Sequence, residues 1–127
     1  MVKDNYQYSV HSAVWMVLGG VVTGKEAEEI LLGVLNSADS IKPFTPYMHH
    51  YVTEAMIKLG LLKEAAVYIK KYWGGMVKIG ADTFFEVYVP DDLDFSPYGD
   101  KKLNSMCHAW SCTPAYFIRK YFDNSGI

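Results

Sequence analysis

Apolar positions recur with a helical period along the first two thirds of the chain, and then the period stops. Val10–Leu18, VHSAVWMVL, is apolar nearly all round and predicts a buried helix ended by Gly19-Gly20. In KEAEEILLGVLN, residues 25–36, an apolar stripe of Ala27, Ile30, Leu31, Val34 and Leu35 follows acids placed in the first turn, where the helix dipole favours them. Thr23 and Glu26 have the spacing of a capping box at its start. Residues 37–44 form a loop. Thr45 as N-cap and Pro46 as first helical residue then open a third helix. Its apolar face is Met48, Tyr51, Val52, Ala55, Met56 and Leu59, and Gly60 is its stop. A fourth helix spans residues 62–73 and is expected to close at Gly74-Gly75.

Beyond this point the periodicity changes. Residues 78–90, KIGADTFFEVYVP, are rich in β-branched and aromatic residues and predict a short strand or extended loop. DDLDFSPYGDKK reads as an exposed loop with turn residues. Residues 106–122, MCHAWSCTPAYFIRKYF, predict a last helix, kinked or restarted at Thr113-Pro114 because proline cannot donate to the helical ladder. There is no repeat of fixed period and no internal linker, so residues 1–127 are read as one all-α domain of helical hairpins with one short extended segment before the last helix. Val14, Trp15, Val17 and Leu18 on the first helix, with Tyr116, Phe117 and Tyr121 on the last, give these helices more than one apolar face. That excess implies a missing layer, either a partner or the rest of a larger protein. The isolated chain is accordingly expected to self-associate, since each such side chain left wet forgoes ~1.5–3 kcal/mol.

Composition narrows the function classes. Half of the 127 residues are hydrophobic and a fifth are charged, which suits a folded domain and not a disordered one. Twelve Lys and Arg against 14 Asp and Glu leave a net charge of −2 with no basic block, so a nucleic-acid partner is not expected. The apolar runs are too short for a membrane span. MVKDNYQYSV holds no apolar signal core. Cys107 and Cys112 are read as two buried free thiols, and unpaired cysteines lean towards the cytoplasm, with the compartment otherwise left open.

Candidate chemistry centres on Glu86, set among Phe84, Phe85, Val87, Tyr88 and Val89. A carboxylate in that company is either the outward residue of an alternating strand or a group held for chemistry, and the pattern alone leaves both open. His108 is either a helix-terminal histidine bonded to backbone or a ligand-binding group. His49 and His50 read as a solvated pair, and adjacent helical residues diverge too much to share a metal. Trp73 either packs beside a glycine stop or offers a ring to a ligand. Asp91, Asp92 and Asp94 have the oxygen ligands that calcium prefers but read as a plain acidic loop. Glu54 and Lys58 have the spacing of a surface ion pair.

The order of segments carries a resemblance. TPY opens a helix, another ends in YWGGM, IGADTFFE follows, and SMCHAWSCTPAYFIRKYF comes after a variable loop. From about His11 onward this resembles the C-terminal part of the bacterial α-L-rhamnosidases and related six-hairpin glycosidases, whose segments run W-G-x-M, G-A-T-T-x-W-E and S-L-x-H. Asp82 stands where the family has its first Thr, and Phe85 where it has Trp. The resemblance implies a partial (α/α)6 toroid, no cofactor or metal, a rhamnoside substrate in the full-length parent, and hydrolysis of terminal α-L-rhamnosyl bonds with inversion. It implies that Glu86 is the general base and that His108 contributes to the sugar subsite. The family's general acid lies upstream of the segments matched here, so the isolated chain is expected to be inactive. The physical reading agrees. An inverting glycosidase needs two carboxyl groups ~6.5–9.5 Å apart, burial among aromatics would raise the pKa of a base, and Trp73, Phe84, Phe85, Tyr88 and Trp110 could supply the flat walls that sugars need. The alternative from another class is a non-catalytic helical module that binds a protein or a sugar.

Overall fold

Apolar stripes become helices where they were expected. A computed structural model describes residues 8–123. Helix α1 is Val10–Leu18, α2 is Gly24–Asn36, α3 is Pro46–Lys58 and α4 is Leu62–Lys78. A short α5, Thr113–Phe117, runs directly into a π-helical turn at Ile118–Phe122, and 3-10 turns form at Lys101–Leu103 and Ala109–Ser111. Among the described residues the only bridge of β type is the isolated parallel one between Ser9 and Ile41, so the architecture is all-α. Helix α1 packs on α2 and α3, and α3 packs on α4, α5 and the 109–111 turn. Short connections make the consecutive pairs α1–α2 and α3–α4 helical hairpins. No described helix is long and apolar enough to cross a membrane.

Two apolar clusters meet at this framework. Val10, Val14 and Val17 of α1 close on Leu31 of α2 and on Met48, Val52 and Met56 of α3. Ile69, Tyr72, Trp73 and Met76 of α4 close on Tyr88 and on Phe117 of α5. Thus Val14, Val17 and Phe117, expected on raw edges, are buried inside the chain, while Trp15 and Tyr116 remain exposed. Helices α2 and α3 cover the α1 face of Val10, Ala13, Val14 and Val17, which the sequence pattern alone did not reveal.

Other expectations are corrected. Neither Thr23 nor Thr45 makes a side-chain cap bond, so no capping box forms; Pro46 does occupy the first turn of α3. Gly74-Gly75 does not end α4. The helix runs on to Lys78 because Met76 continues its buried stripe, and Gly80, with φ of +92°, turns the chain after it. Gly75 has a packing reason instead, since a Cβ there would collide with the Tyr88 hydroxyl. The last helix does not begin near Met106. Residues 106–112 are a loop and a 3-10 turn, and Pro114 starts a helix in its first turn instead of kinking one. Cys107 and Cys112 are exposed, not buried. Glu54 pairs with His50 at 3.7 Å, while Lys58 donates to the carbonyl of Leu18 at 2.7 Å and ties the end of α3 to the end of α1.

His49 is the largest departure. It is buried, not solvated. Its ring stacks on Tyr72 with centroids 3.6 Å apart. Nε2 lies 3.2 Å from the Pro43 carbonyl, which can only accept, so Nε2 carries the proton; Nδ1 then accepts from the Tyr68 hydroxyl at 2.6 Å. Burial pushes the imidazole pKa down to about 3, against a smaller upward effect of the Pro43 bond and a further small lowering by His11. A histidine held neutral in the fold but free to protonate when unfolded stabilises fully above the unfolded value of 6.5, and that stability drains away as pH falls towards about 3. Its share of the slope approaches about 1.4 kcal/mol per pH unit. Half-buried His50, also lowered by burial, acts in the same direction. Thermal unfolding followed from neutral pH to about pH 5, above the usual carboxylate range, should show falling stability. His49→Gln should lower stability at neutral pH and flatten the slope, and an unchanged slope would rule out this role for His49.

Candidate active site

The extended segment that carries Glu86 is held by its own backbone groups. The amide of His108 donates to the carbonyl of Phe84 at 2.8 Å, and the amide of Glu86 donates to the carbonyl of Ser105 at 2.9 Å. On its other side the amide of Tyr88 donates to Phe44 at 3.1 Å. The Thr83 hydroxyl bonds the carbonyl of Met106, and the Ser111 hydroxyl bonds that of Phe85. These bonds come from several directions, not from one ladder, so the segment is extended without being a strand. The Ser105 and His108 amides, the Ser111 hydroxyl and the carbonyls of Ser105 and Met106 are spent on it, which holds residues 105–111 away from a helix continuous with α5.

Glu86 is 7% exposed. Its Oε2 accepts from the Ser105 amide at 2.9 Å, and its Oε1 accepts from the Tyr98 hydroxyl at 2.6 Å. Tyr98 is itself 53% exposed, so the cover over the carboxylate is one side chain thick. That thinness decides the electrostatics. The Ser105 amide, then the Tyr98 hydroxyl, hold the carboxyl pKa below its ordinary value. Burial pushes the other way and loses, and nearby His108 adds a small further lowering. The expected upward shift from aromatic neighbours is therefore reversed. Phe84 and Phe85 flank Glu86 along the chain, but two donors reach its charged form.

His108 caps the Ala109–Ser111 turn, its Nδ1 accepting from the Trp110 amide at 3.4 Å. Its ring lies 4.1 Å from that of Trp110. Trp110 is 38% exposed, and its indole N–H points at the carbonyl of Glu86 at 3.4 Å. Tyr47, at the start of α3, continues the shelf 5.5 Å from Trp110. Glu86, His108 and Trp110 are thus brought together. Phe85 is half-buried against the α4 cluster and Phe84 is exposed. Trp73 and Tyr88 are not at the surface beside Glu86. Trp73 is 5% exposed, and its indole donates to the buried Ser111 at 2.9 Å, so it supports the 109–111 turn from beneath. Two residues touching Glu86 were missed. Ser105 contributes a backbone group that no residue pattern signals. Tyr98 sits in Ser96-Pro97-Tyr98-Gly99, a plain turn signal that does not say where the ring goes. Asp94 pairs with Lys101 at 2.8 Å, and among the described residues no group of three or more His, Cys, Asp or Glu is placed to hold a metal.

The fold that carries this arrangement also occurs in solved structures. The chain is similar to a rhamnosidase from Klebsiella oxytoca with rhamnose bound, at 46% identity and a TM-score of 0.87 over 94% of this chain. The chain is the counterpart of the C-terminal part of a bacterial rhamnosidase. It spans 23% of the Klebsiella rhamnosidase. A GH78 family rhamnosidase of Bacillus sp. GL1 is similar at 26% identity and a TM-score of 0.73, over 91% of this chain and 12% of that one. No family model and no curated protein sequence matches the chain. The all-helical hairpins are consistent with those of a rhamnosidase toroid.

The placement of Trp73 yields a test of this part of the fold. Trp73→Phe keeps an aromatic ring in the core but orphans the buried Ser111 carbonyl, which should cost about 1–3 kcal/mol in urea unfolding. An unchanged midpoint would show that the indole bond holds nothing.

Proposed function

We propose that this chain supplies the C-terminal hairpins, and the general base Glu86, of a glycoside hydrolase that removes terminal α-L-rhamnosyl residues with inversion. The observation that carries the reading is the 46% identity over 94% of the chain to a rhamnosidase with rhamnose bound. Glu86 suits the base role chemically. A general base must be ionised when water arrives, and the Ser105 and Tyr98 donors favour that state. Once ionised, it takes a proton from a water that attacks the anomeric carbon on the face opposite the leaving oxygen. Trp110 and His108 offer a flat apolar face and a polar ring beside that carboxylate. The paired acid comes from the remainder of the toroid.

The test uses the full-length polypeptide that carries this chain and an aryl α-L-rhamnoside. Glu86→Gln should lower the hydrolysis rate by ~10²–10⁴, and the 127-residue chain alone should show no useful turnover. Equal rates for Glu86→Gln and the unaltered polypeptide would remove Glu86 from the reaction and favour a binding module.

The same reading explains a hollow on the α1–α3 side where the apolar Trp15, Leu18, Tyr51, Ile57 and Tyr121 meet the charged Glu54 and Lys58. In a closed toroid each hairpin buries both of its edges, so this hollow is where neighbouring hairpins belong. The isolated chain should therefore self-associate through it at micromolar concentration. Sedimentation giving a clean monomer with little dye-accessible apolar surface would contradict that.

A further inference from the structure

Residues 91–105 touch Glu86 at both carboxylate oxygens, through Tyr98 and through the Ser105 amide. The segment is tied to itself. Lys101 bridges to Asp94 at 2.8 Å. Ser96 donates to the Asn104 side chain at 2.8 Å and accepts from the Tyr98 amide at 3.1 Å, while Asn104 donates to the carbonyl of Phe95 at 2.9 Å. Gly99, with φ of +82°, turns the chain directly after Tyr98. These ties fix where Tyr98 starts, and its ring then crosses to Glu86. Burial does not explain that placement, because Tyr98 is half in solvent and belongs to neither apolar cluster. Its hydroxyl has one recorded partner, the carboxylate, at a length typical of a charge-assisted bond.

We propose that Tyr98 is a positioning residue for Glu86, its hydroxyl holding Oε1 while the Ser105 amide holds Oε2, so that the carboxylate cannot rotate and a fixed lone pair is left to receive the proton of the attacking water. This rests on Glu86 as the base. The hydroxyl keeps its own proton throughout. When water gives up its proton, Glu86 becomes neutral and the Tyr98 bond weakens from a bond to an anion to an ordinary one. Tyr98 therefore trades some basicity for orientation and for a carboxylate that stays ionised in acid. The titratable groups facing Glu86 are Tyr98 from the loop and His108 from the 109–111 turn; Ser105 and Trp110 complete its surroundings.

Tyr98→Phe keeps the exposed ring and removes only the hydroxyl. In the 127-residue chain, carboxyl-carbon NMR should show Glu86 titrating at higher pH in Tyr98→Phe, with Ser105→Ala, which retains the amide donor, as the unshifted control. In the full-length polypeptide, kcat on an aryl α-L-rhamnoside should fall by up to ~10²-fold, and the acid limb of kcat/KM should move to higher pH. An unmoved Glu86 titration would overturn the proposal. So would a moved titration with an unmoved acid limb and unchanged kcat. Failure of the base reading shows separately, as retained hydrolysis by Glu86→Gln.

Discussion

The extended segment around Glu86 has no β-ladder, yet its backbone groups are buried and must be satisfied. This constraint organises the C-terminal half of the chain. Phe84, Phe85 and Glu86 take their partners from His108, Ser111 and Ser105, and Tyr88 takes its own from Phe44. Residues 105–111 cannot do this and also be helical, so the final helix is delayed to Thr113. The same bonds set the face around Glu86. Once Ser105 is placed by the Glu86 amide, its own amide points back at the Glu86 carboxylate. His108 and Trp110 follow three and five residues later on the same turn. Backbone bookkeeping and the placement of the carboxylate are one arrangement.

Helix α3 carries that arrangement into the core. Its first turn presents Tyr47 to Trp110 at the surface and His49 to Tyr68 and Tyr72 beneath. His49 also holds the carbonyl of Pro43, one residue before the Phe44 carbonyl that receives the Tyr88 amide. A buried imidazole thus anchors the entry to α3, and that entry anchors the far edge of the Glu86 segment. Tyr72 links the two a second time, since its hydroxyl donates to the carbonyl of Tyr88 at 2.9 Å. A polar network of this kind is costly unless every member is paired, and here the pairing is complete at His49.

Much of the fold was legible in the chain, because periodic burial is a local signal. The apolar pattern of α1 gives its observed bounds Val10–Leu18, and α2, α3 and the start of α4 follow from their stripes and from Thr45-Pro46. The order and spacing of segments carried the resemblance that singled out Glu86 and His108, and the structure sets both beside Trp110. What failed was non-local. The stop at Gly74-Gly75 was wrong because Tyr88, thirteen residues on, needs Gly75 bare. The fate of residues 106–112 was decided by partners more than twenty residues earlier. His49 looked solvated because nothing in PYMHHYVTE says which of two histidines turns inward. Trp73 reads either as a packed residue or as a sugar wall, because an indole beside glycines suits both roles, and its bond to the Ser111 carbonyl sets it in the core. The capping-box spacing at Thr23 was present without the bond, since a spacing permits a cap but does not require one.

The direction of the Glu86 shift is the most instructive miss. Aromatic neighbours in sequence suggested desolvation, yet consecutive residues of an extended segment point to opposite sides, so Phe85 and Val87 shield the core and not the carboxylate. What reaches the carboxylate are donors, and a donor to the charged form lowers a pKa where an apolar wall raises it. In this chain the donors win because the cover is one exposed tyrosine. A sugar ring seated on Trp110, with further hairpins around it, would replace water over Glu86 and push in the opposite direction. A base needs both influences, ionised before water binds and strong enough to accept its proton afterwards. On the proposed reading of Glu86 as a base, the chain contributes the donors by its own folding, and the remaining wall is what substrate and further hairpins would add.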